Sequence, residues 1–296
     1  MPGELKGERP AELDEHFFSG VQSPRLRMLV STLSKNIGQP NCTGCGMNDE
    51  SSYVVLIPSY NTGARLRETV SEAIRFWPRV WVIIDGSTDG SEQALTQFGN
   101  GSHLKVIKLE RNQGKGGAVI AGLKAAQKEG FRFALVMDAD GQHPADRIRE
   151  FIRISRDNLD AMVLGVPIFA ADAPVTRRQG RRIGNWWANL ETMWGGLGDS
   201  LFGFRIYPIN ESLRILESIA GARGYDFDTV LAVRLYWRNV RPINVGVPVR
   251  YYSRAAGGVS HFRYVRHNLL LLKAHALLVL GMTPRLLALW RMRKRI

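Results

Sequence analysis

The sequence is short of cysteine, with only Cys42 and Cys45 in a Cys-Thr-Gly-Cys run. Such a pair supplies two of the four ligands of a structural zinc, and no neighbouring His or Cys completes the set. A disulfide framework is equally excluded, and a reducing cytoplasm fits this composition. Acidic residues are missing from the last 68 positions. Asp228 is the final one, and the 13 Lys/Arg beyond it account for the entire formal charge of +13, because the other 27 basic residues balance the 27 acidic ones. So one-sided a segment points to a polyanionic partner. Nucleic acid is set aside, since no recognised binding motif and no aromatic–basic stacking platform is present. The amino terminus lacks the apolar run of a secretory signal. After residue 262 the uninterrupted apolar stretches are too short to span a bilayer. Neither the P-loop nor the dinucleotide fingerprint occurs.

What is present is organised around Phe133–Pro144, reading Phe-Ala-Leu-Val-Met-Asp-Ala-Asp-Gly-Gln-His-Pro. A short apolar run stopped by a turn signal predicts a buried strand over Phe133–Met137 with two carboxylates at its tip. Asp138 and Asp140 are one residue apart and share a side at the period of a strand. Like charges that close raise each other's pKa unless a cation lies between them, and a hard divalent ion such as Mg²⁺ or Mn²⁺ resolves the conflict. The alternative is a pair of turn aspartates capping the helix that starts near Pro144.

Three further strands precede this one. Tyr53–Ile57 ends in Pro58-Ser59-Tyr60-Asn61, Val80–Ile84 in Asp85-Gly86-Ser87-Thr88-Asp89-Gly90, and Leu104–Leu109 in Arg111-Asn112-Gln113-Gly114-Lys115-Gly116-Gly117. Helical patterns follow over about 64–76, up to 98 and up to 128. Apolar strands alternating with amphipathic helices predict an α/β fold with a mostly parallel sheet, whose strand-end loops gather along the edge where such sheets bind ligands. Asp85 is placed to accept from a ribose or base, or else serves as a turn residue. Asp89 reads as a helix cap. The Gly114–Gly117 turn opens a helix whose amino terminus favours phosphate, with Lys115 adding a point charge.

Together these residues resemble family 2 glycosyltransferases of the GT-A fold, from about Tyr53 to Tyr251. The Asp-Ala-Asp-Gly-Gln-His-Pro form is most similar to the branch using polyprenyl-phosphate acceptors, which includes dolichyl-phosphate mannose and glucose synthases. The resemblance implies that Asp138, Asp140 and Gln142 hold a divalent metal on a nucleoside diphosphate sugar, UDP- or GDP-linked. It also implies that Pro58, Tyr60, Asn61 and Asp85 line the nucleoside pocket, with Lys115 and Asp138 beside the phosphates. Ile84 stands where the family usually has the first of two adjacent aspartates.

In the second half, Arg177 and Arg178 lie in a loop that the resemblance turns toward the acceptor. There they hold a lipid phosphate or form a solvated basic face. Asp199-Ser200-Leu201-Phe202-Gly203-Phe204-Arg205 resembles the family's Asp-x-x-x-Gly-Phe-Arg segment, which makes Arg205 the stronger phosphate candidate. Asp226 and Asp228 precede a helix over Thr229–Trp237, either as a catalytic base at the reacting carbon, beside Asp140, or as helix caps. A phosphate acceptor is already ionised and needs no base. The expected organisation is an extension over residues 1–50, a catalytic domain over 51–252, and basic amphipathic helices over 253–296 broken at Thr283-Pro284. Those helices would lie on an anionic membrane surface. The expectation is thus an inverting, metal-dependent glycosyltransferase, peripheral on the cytoplasmic membrane face, with a lipid-linked acceptor. A sugar-nucleotide nucleotidyltransferase and a non-catalytic membrane-binding protein with a degenerate site are the alternatives.

Overall fold

The computed structural model describes residues 49–99, 103–169, 175–219, 221–249 and 264–293. The expected extension over 1–50, Arg250–Arg263 and the side chains of Arg177 and Arg178 lie outside the described part, apart from the short 3₁₀ turn Asp49–Ser52 that leads into the first strand.

Seven strands form one sheet: β1 (Tyr53–Ser59), β2 (Val80–Asp85), β3 (Leu104–Leu109), β4 (Phe133–Val136), β5 (Ala161–Ile168), β6 (Arg205–Pro208) and β7 (Arg241–Pro248). Their order is β3-β2-β1-β4-β6-β5-β7. All neighbours run parallel except β6, which is antiparallel to both β4 and β5. Among the described residues eight α-helices occur: α1 (Arg65–Phe76), α2 (Lys115–Lys128), α3 (Ile148–Arg156), α4 (Val175–Glu191), α5 (Ile209–Glu217), α6 (Phe227–Trp237), α7 (Tyr264–Met282) and α8 (Leu286–Arg293). This is the mixed, mostly parallel sheet that the resemblance implies.

The central strand β1 is buried along its whole length. Its side chains alternate between faces: Val54 and Leu56 join one core cluster with α2 and α6, while Tyr53, Val55 and Ile57 join another with α1 and α3. A run this rich in apolar and β-branched residues suits such a doubly covered position, with its backbone paired on both sides. Helix α1 buries Leu66, Thr69, Val70 and Ala73, the three-and-four spacing of a single apolar stripe. The expected second helix is instead a 3₁₀ helix, Ser91–Phe98. Thr283-Pro284 ends α7 at Met282, as expected. Thr283–Arg285 is a 3₁₀ turn with Pro284 at its start, where a missing N–H costs nothing, and α8 continues from it.

Candidate active site

Strand β4 sits between β1 and β6, so its carboxyl end falls where the sheet changes from parallel to antiparallel pairing. The Met137 amide still donates to Leu56 O at 3.0 Å, and the chain then turns away. The Asp138 amide donates to His143 Nδ1 at 2.9 Å, and Asp140 Oδ1 accepts from the Gln142 amide at 3.0 Å. Gly141 takes φ of 76°, a left-handed conformation that suits glycine. His143 is buried edge-on against Phe202 and Phe204. Burial pushes its pKa down to about 4, so the ring is neutral. With Nδ1 accepting, the proton is on Nε2, which lies 3.6 Å from Asp138 Oδ2.

Lys115 reaches across from the start of α2. Its Nζ lies 2.7 Å from Asp138 Oδ1 and 2.8 Å from Asp228 Oδ2. Burial opposes its charge, but the two carboxylates outweigh burial and raise its pKa. Burial likewise works against the Asp138 carboxylate, and the Lys115 ammonium overrides it, holding the pKa at about 2. Asp140 behaves in the opposite way: burial, then the charge on Asp138, push it up to about 6. Gly203 closes the site from behind. A Cβ there would stand 2.5 Å from Lys115 Nζ and 2.9 Å from Asp138 Oδ2, so a larger residue would displace both groups.

A buried polar scaffold supports this cluster. Arg205 is fully buried on β6. Its Nε donates to Phe202 O, Nη1 to Tyr207 Oη and Asp228 O, and Nη2 to Asp199 O, at 2.6–3.1 Å. Asp199 Oδ1 accepts from the amides of Leu201 and Phe202 and from Arg181 Nη1 on α4. Asn185 Oδ1 accepts from the Ser200 amide and hydroxyl. The whole 199–205 loop is therefore fixed by charged side chains rather than by a regular element.

The flanking loops are tied to one another. Asn61 Oδ1 accepts from the Thr88 amide at 2.8 Å, and Asp89 Oδ2 accepts from the Gly63 amide at 2.9 Å. Asp89 also caps the 3₁₀ helix through Ser91 N–H at 3.1 Å. Asp85 is buried, and its Oδ1 accepts from the Gln113 amide at 2.7 Å. Tyr60 is half-exposed at the tip of β1. Across the amino terminus of α2 lies the backbone of Ala222 and Arg223: Gly117 N–H donates to Arg223 O at 3.3 Å, and a Cβ at Gly114 would meet that oxygen at 2.5 Å. Next in the chain, the Tyr225 ring packs 4.4 Å from that of His267 on α7. Burial, then the charge on Asp138, raise the Tyr225 pKa.

The donors at the β4 tip suit a hard divalent cation. Two carboxylates and the Gln142 amide offer oxygen, and the raised pKa of Asp140 marks a charge that lacks a counter-ion. Among the described residues no group of three or more His, Cys, Asp and Glu is arranged as a metal site. Mg²⁺ and Mn²⁺ do not need one, since one or two carboxylates commonly suffice when substrate phosphates and water complete the shell.

The model of the glycosyl transferase family 2 matches residues 54–224, which is more than half of the chain. The chain belongs to that family. It is therefore a glycosyltransferase, and the nucleotidyltransferase and non-catalytic alternatives are set aside. A UDP-N-acetylglucosamine–dolichyl-phosphate N-acetylglucosaminyltransferase of Methanococcus voltae is 27% identical over 237 residues, 71% of this chain and 91% of its own length. An undecaprenyl-phosphate mannosyltransferase of Micrococcus luteus is 28% identical over 216 residues, 69% and 85% of the two chains. Among solved structures, glucosyl-3-phosphoglycerate synthase of Mycobacterium tuberculosis, in a complex with Mn²⁺, UDP and phosphoglyceric acid, superposes with a TM-score of 0.57. That likeness covers 82% of this chain and 84% of that one at 16% identity, and it establishes the GT-A fold.

Within this family 2 framework the structure brings Asp138, Asp140, Gln142, Lys115 and Asp228 together and redirects several expectations. Arg205 is not available to an acceptor phosphate, because its guanidinium is enclosed and its donors are taken by protein oxygens. Asp85 anchors the 111–114 loop instead of opening onto a pocket. The α2 amino terminus is covered by the 222–224 backbone, so its glycines serve close packing. Asp226 precedes α6 without a side-chain cap bond to it, and its Oδ1 accepts from the Gly224 amide at 3.2 Å. Ile84 faces the core between β1 and β3. His143, Gly203, Asp199 and Arg181 were not singled out from sequence. His143, Asp199 and Gly203 do lie inside motifs that resemble the family's, which was the available signal.

Proposed function

We propose that this glycosyltransferase moves a sugar, with inversion, from a nucleoside diphosphate donor to a polyprenyl phosphate or another lipid-linked acceptor on the cytoplasmic membrane face. The observation that carries the reading is the β4 tip itself, where two carboxylates and a buried lysine face the ligand-binding edge of a family 2 sheet. Pro58, Tyr60 and Asn61 would line the nucleoside, with Asp85 setting the loop that frames it. Asp138, Asp140 and Gln142 would hold Mg²⁺ or Mn²⁺, which supplies Lewis-acid stabilisation of the departing diphosphate. Lys115 adds a fixed positive charge beside Asp138 that costs no reorganisation during transfer.

An ionised acceptor fits the disposition of the acids. Asp228 is 2% exposed and ion-paired, and Asp138 and Asp140 would be taken up by the cation. A phosphate needs no proton removed before it attacks, so the site demands no free base of this chain. Lipid linkage fits the carboxyl-terminal helices. Of the 14 large hydrophobic side chains exposed among the described residues, 11 lie between Ile183 and Trp290. Eight of them, including Leu272, Leu280 and Leu287, lie on α7 and α8, in the segment after Asp228 that has no acids and suits an anionic leaflet. By length and composition the helical run His267–Met292 is also long and apolar enough to cross a membrane, with 22% of its window buried. That differs from the expected short stretches because the 3₁₀ turn Thr283–Arg285 joins α7 and α8 into one helical run. The contact of His267 with Tyr225 brings the start of α7 beside the metal-site cluster.

The test is transfer of labelled sugar from UDP- and GDP-sugars to undecaprenyl and dolichyl phosphate, with Mn²⁺ and with chelator. Metal-dependent label in the lipid phase supports the reading. Label that enters only water-soluble phosphorylated acceptors, as with 3-phosphoglycerate, refutes the lipid-linked part.

A further inference from the structure

Asp228 is the second residue of α6 and one of the most enclosed acids of the described chain. Its Oδ2 meets Lys115 Nζ at 2.8 Å, its Oδ1 accepts from Tyr207 Oη at 3.4 Å, and its carbonyl accepts from Arg205 Nη1 at 2.7 Å. Every polar oxygen of the residue is thus directed at the protein. A general base must reach a proton on the acceptor, and this carboxylate is turned the other way.

We propose that Asp228 is a positioning residue that holds the Lys115 ammonium against Asp138, so that Lys115 and the divalent cation share one carboxylate. The proposal rests on the glycosyltransferase reading of the site. Its physical logic is charge balance. A lysine paired with Asp138 alone would cancel the charge that attracts a metal. With Asp228 added, the three carboxylates and one ammonium leave a net charge of −2, since His143 accepts the Asp138 amide at Nδ1 and so adds no charge. Bound there, a divalent cation would neutralise the cluster, and Lys115 would already be placed for an incoming diphosphate. Gly203 lies directly behind the lysine, since a methyl group there would stand 2.5 Å from Nζ. Tyr207 and Arg205 fix Asp228 in turn, so the ammonium is held by a buried network and not by a flexible surface pair.

The two residues act with opposite sign on the metal and the same sign on the nucleotide. Lys115→Met removes a neighbouring cation and should tighten Mn²⁺ alone about tenfold, whereas Asp228→Asn removes an anion and should weaken it about tenfold. Each should weaken UDP or GDP binding at saturating Mn²⁺ about tenfold, and the double variant should lose no more than either single one, because both remove the same placed ammonium. Titration calorimetry with Mn²⁺, then with UDP and GDP at saturating Mn²⁺, reads all of this, and melting curves confirm folded protein. Asp228→Asn that lowers kcat with both affinities unchanged would overturn the proposal in favour of a base. Lys115→Met that leaves Mn²⁺ affinity unchanged would overturn the sharing of Asp138, and this arm decides alone where Asp228→Asn does not fold. Wild type that binds neither nucleotide refutes the donor site itself, while the Mn²⁺ arms still judge the Lys115–Asp228 pair.

Discussion

His143 holds Asp138 by the backbone: its Nδ1 accepts the Asp138 amide at 2.9 Å across the five-residue turn at the tip of β4. The ring thereby sets the direction in which the carboxylate leaves the strand, while Phe202 and Phe204 lock the ring. His143→Ala should cost roughly 2–4 kcal/mol of stability, since it removes a buried ring and orphans a buried amide. His143→Asn retains an acceptor and should recover part of that. Urea unfolding of both variants, paired with Mn²⁺ titration, checks it. Unchanged stability in His143→Ala would show that the ring does not hold the turn.

Asp140 makes the metal-free site unstable. Its carboxyl is raised to about 6, against 3.8 for an ordinary aspartate, first by burial and then by Asp138. A raised folded-state value means that the contribution of this group is fully favourable below pH 3.8 and is lost as pH rises through about 6. At pH 8 without metal, Asp140→Asn should therefore be more stable than wild type, by about 1–3 kcal/mol. The gap should close as pH falls below 4. Mn²⁺ should reverse the order by stabilising wild type alone. Thermal melts at pH 4 and pH 8, with Mn²⁺ and with chelator, test it. Equal midpoints for the two proteins at pH 8 in chelator would contradict the electrostatic conflict.

The alternation of strands and helices, and the acidic tip of β4, were legible because each rests on local pattern: apolar runs of the right length, turn residues behind them, and carboxylates at a period of two. The roles of Arg205 and Asp85 were not. An arginine in a motif reads as a phosphate ligand unless one knows that β6 runs antiparallel to β4 and buries it among the carbonyls of residues 199, 202 and 228. Asp85 looked open because the Gln113 amide that takes its charge comes from a loop 28 residues on. The α2 glycines pointed to phosphate, yet they are met by the backbone of Ala222 and Arg223, over a hundred residues later. Long-range partners of this kind leave no periodicity in sequence.

Arg205 gives a prediction that separates scaffold from ligand. Its four donor contacts end on oxygens that would be left unpaired in a shorter side chain. Arg205→Met should destabilise the fold by about 3–5 kcal/mol, as removal of one partner from a buried charged network does. Arg205→Lys should recover little, because a single ammonium cannot replace a planar fork. A residue that bound acceptor phosphate would instead raise KM for the acceptor with the melting temperature unchanged, and that result would restore the original assignment.

Helix α7 packs inward through Ala274, His275 and Leu278, with His275 Nδ1 2.7 Å from Glu191 Oε1 on α4, and turns Leu269, Leu272, Leu277 and Leu280 outward. That outward stripe shares α7 with the exposed Lys273, in a segment without acids, so apolar insertion and attraction to anionic lipid act together. Leu272→Glu with Leu280→Glu places two charges on the exposed stripe without touching the packed one. Soluble structure should survive within about 0.5 kcal/mol, as for surface substitutions. Flotation with vesicles of phosphatidylcholine and phosphatidylglycerol should fall at least tenfold, and wild-type binding should weaken as salt rises. Transfer to a short-chain, water-soluble polyprenyl phosphate should persist in the variant, since the β4 tip is untouched. Binding to vesicles that survives both substitutions would mean that this face does not lie on the membrane.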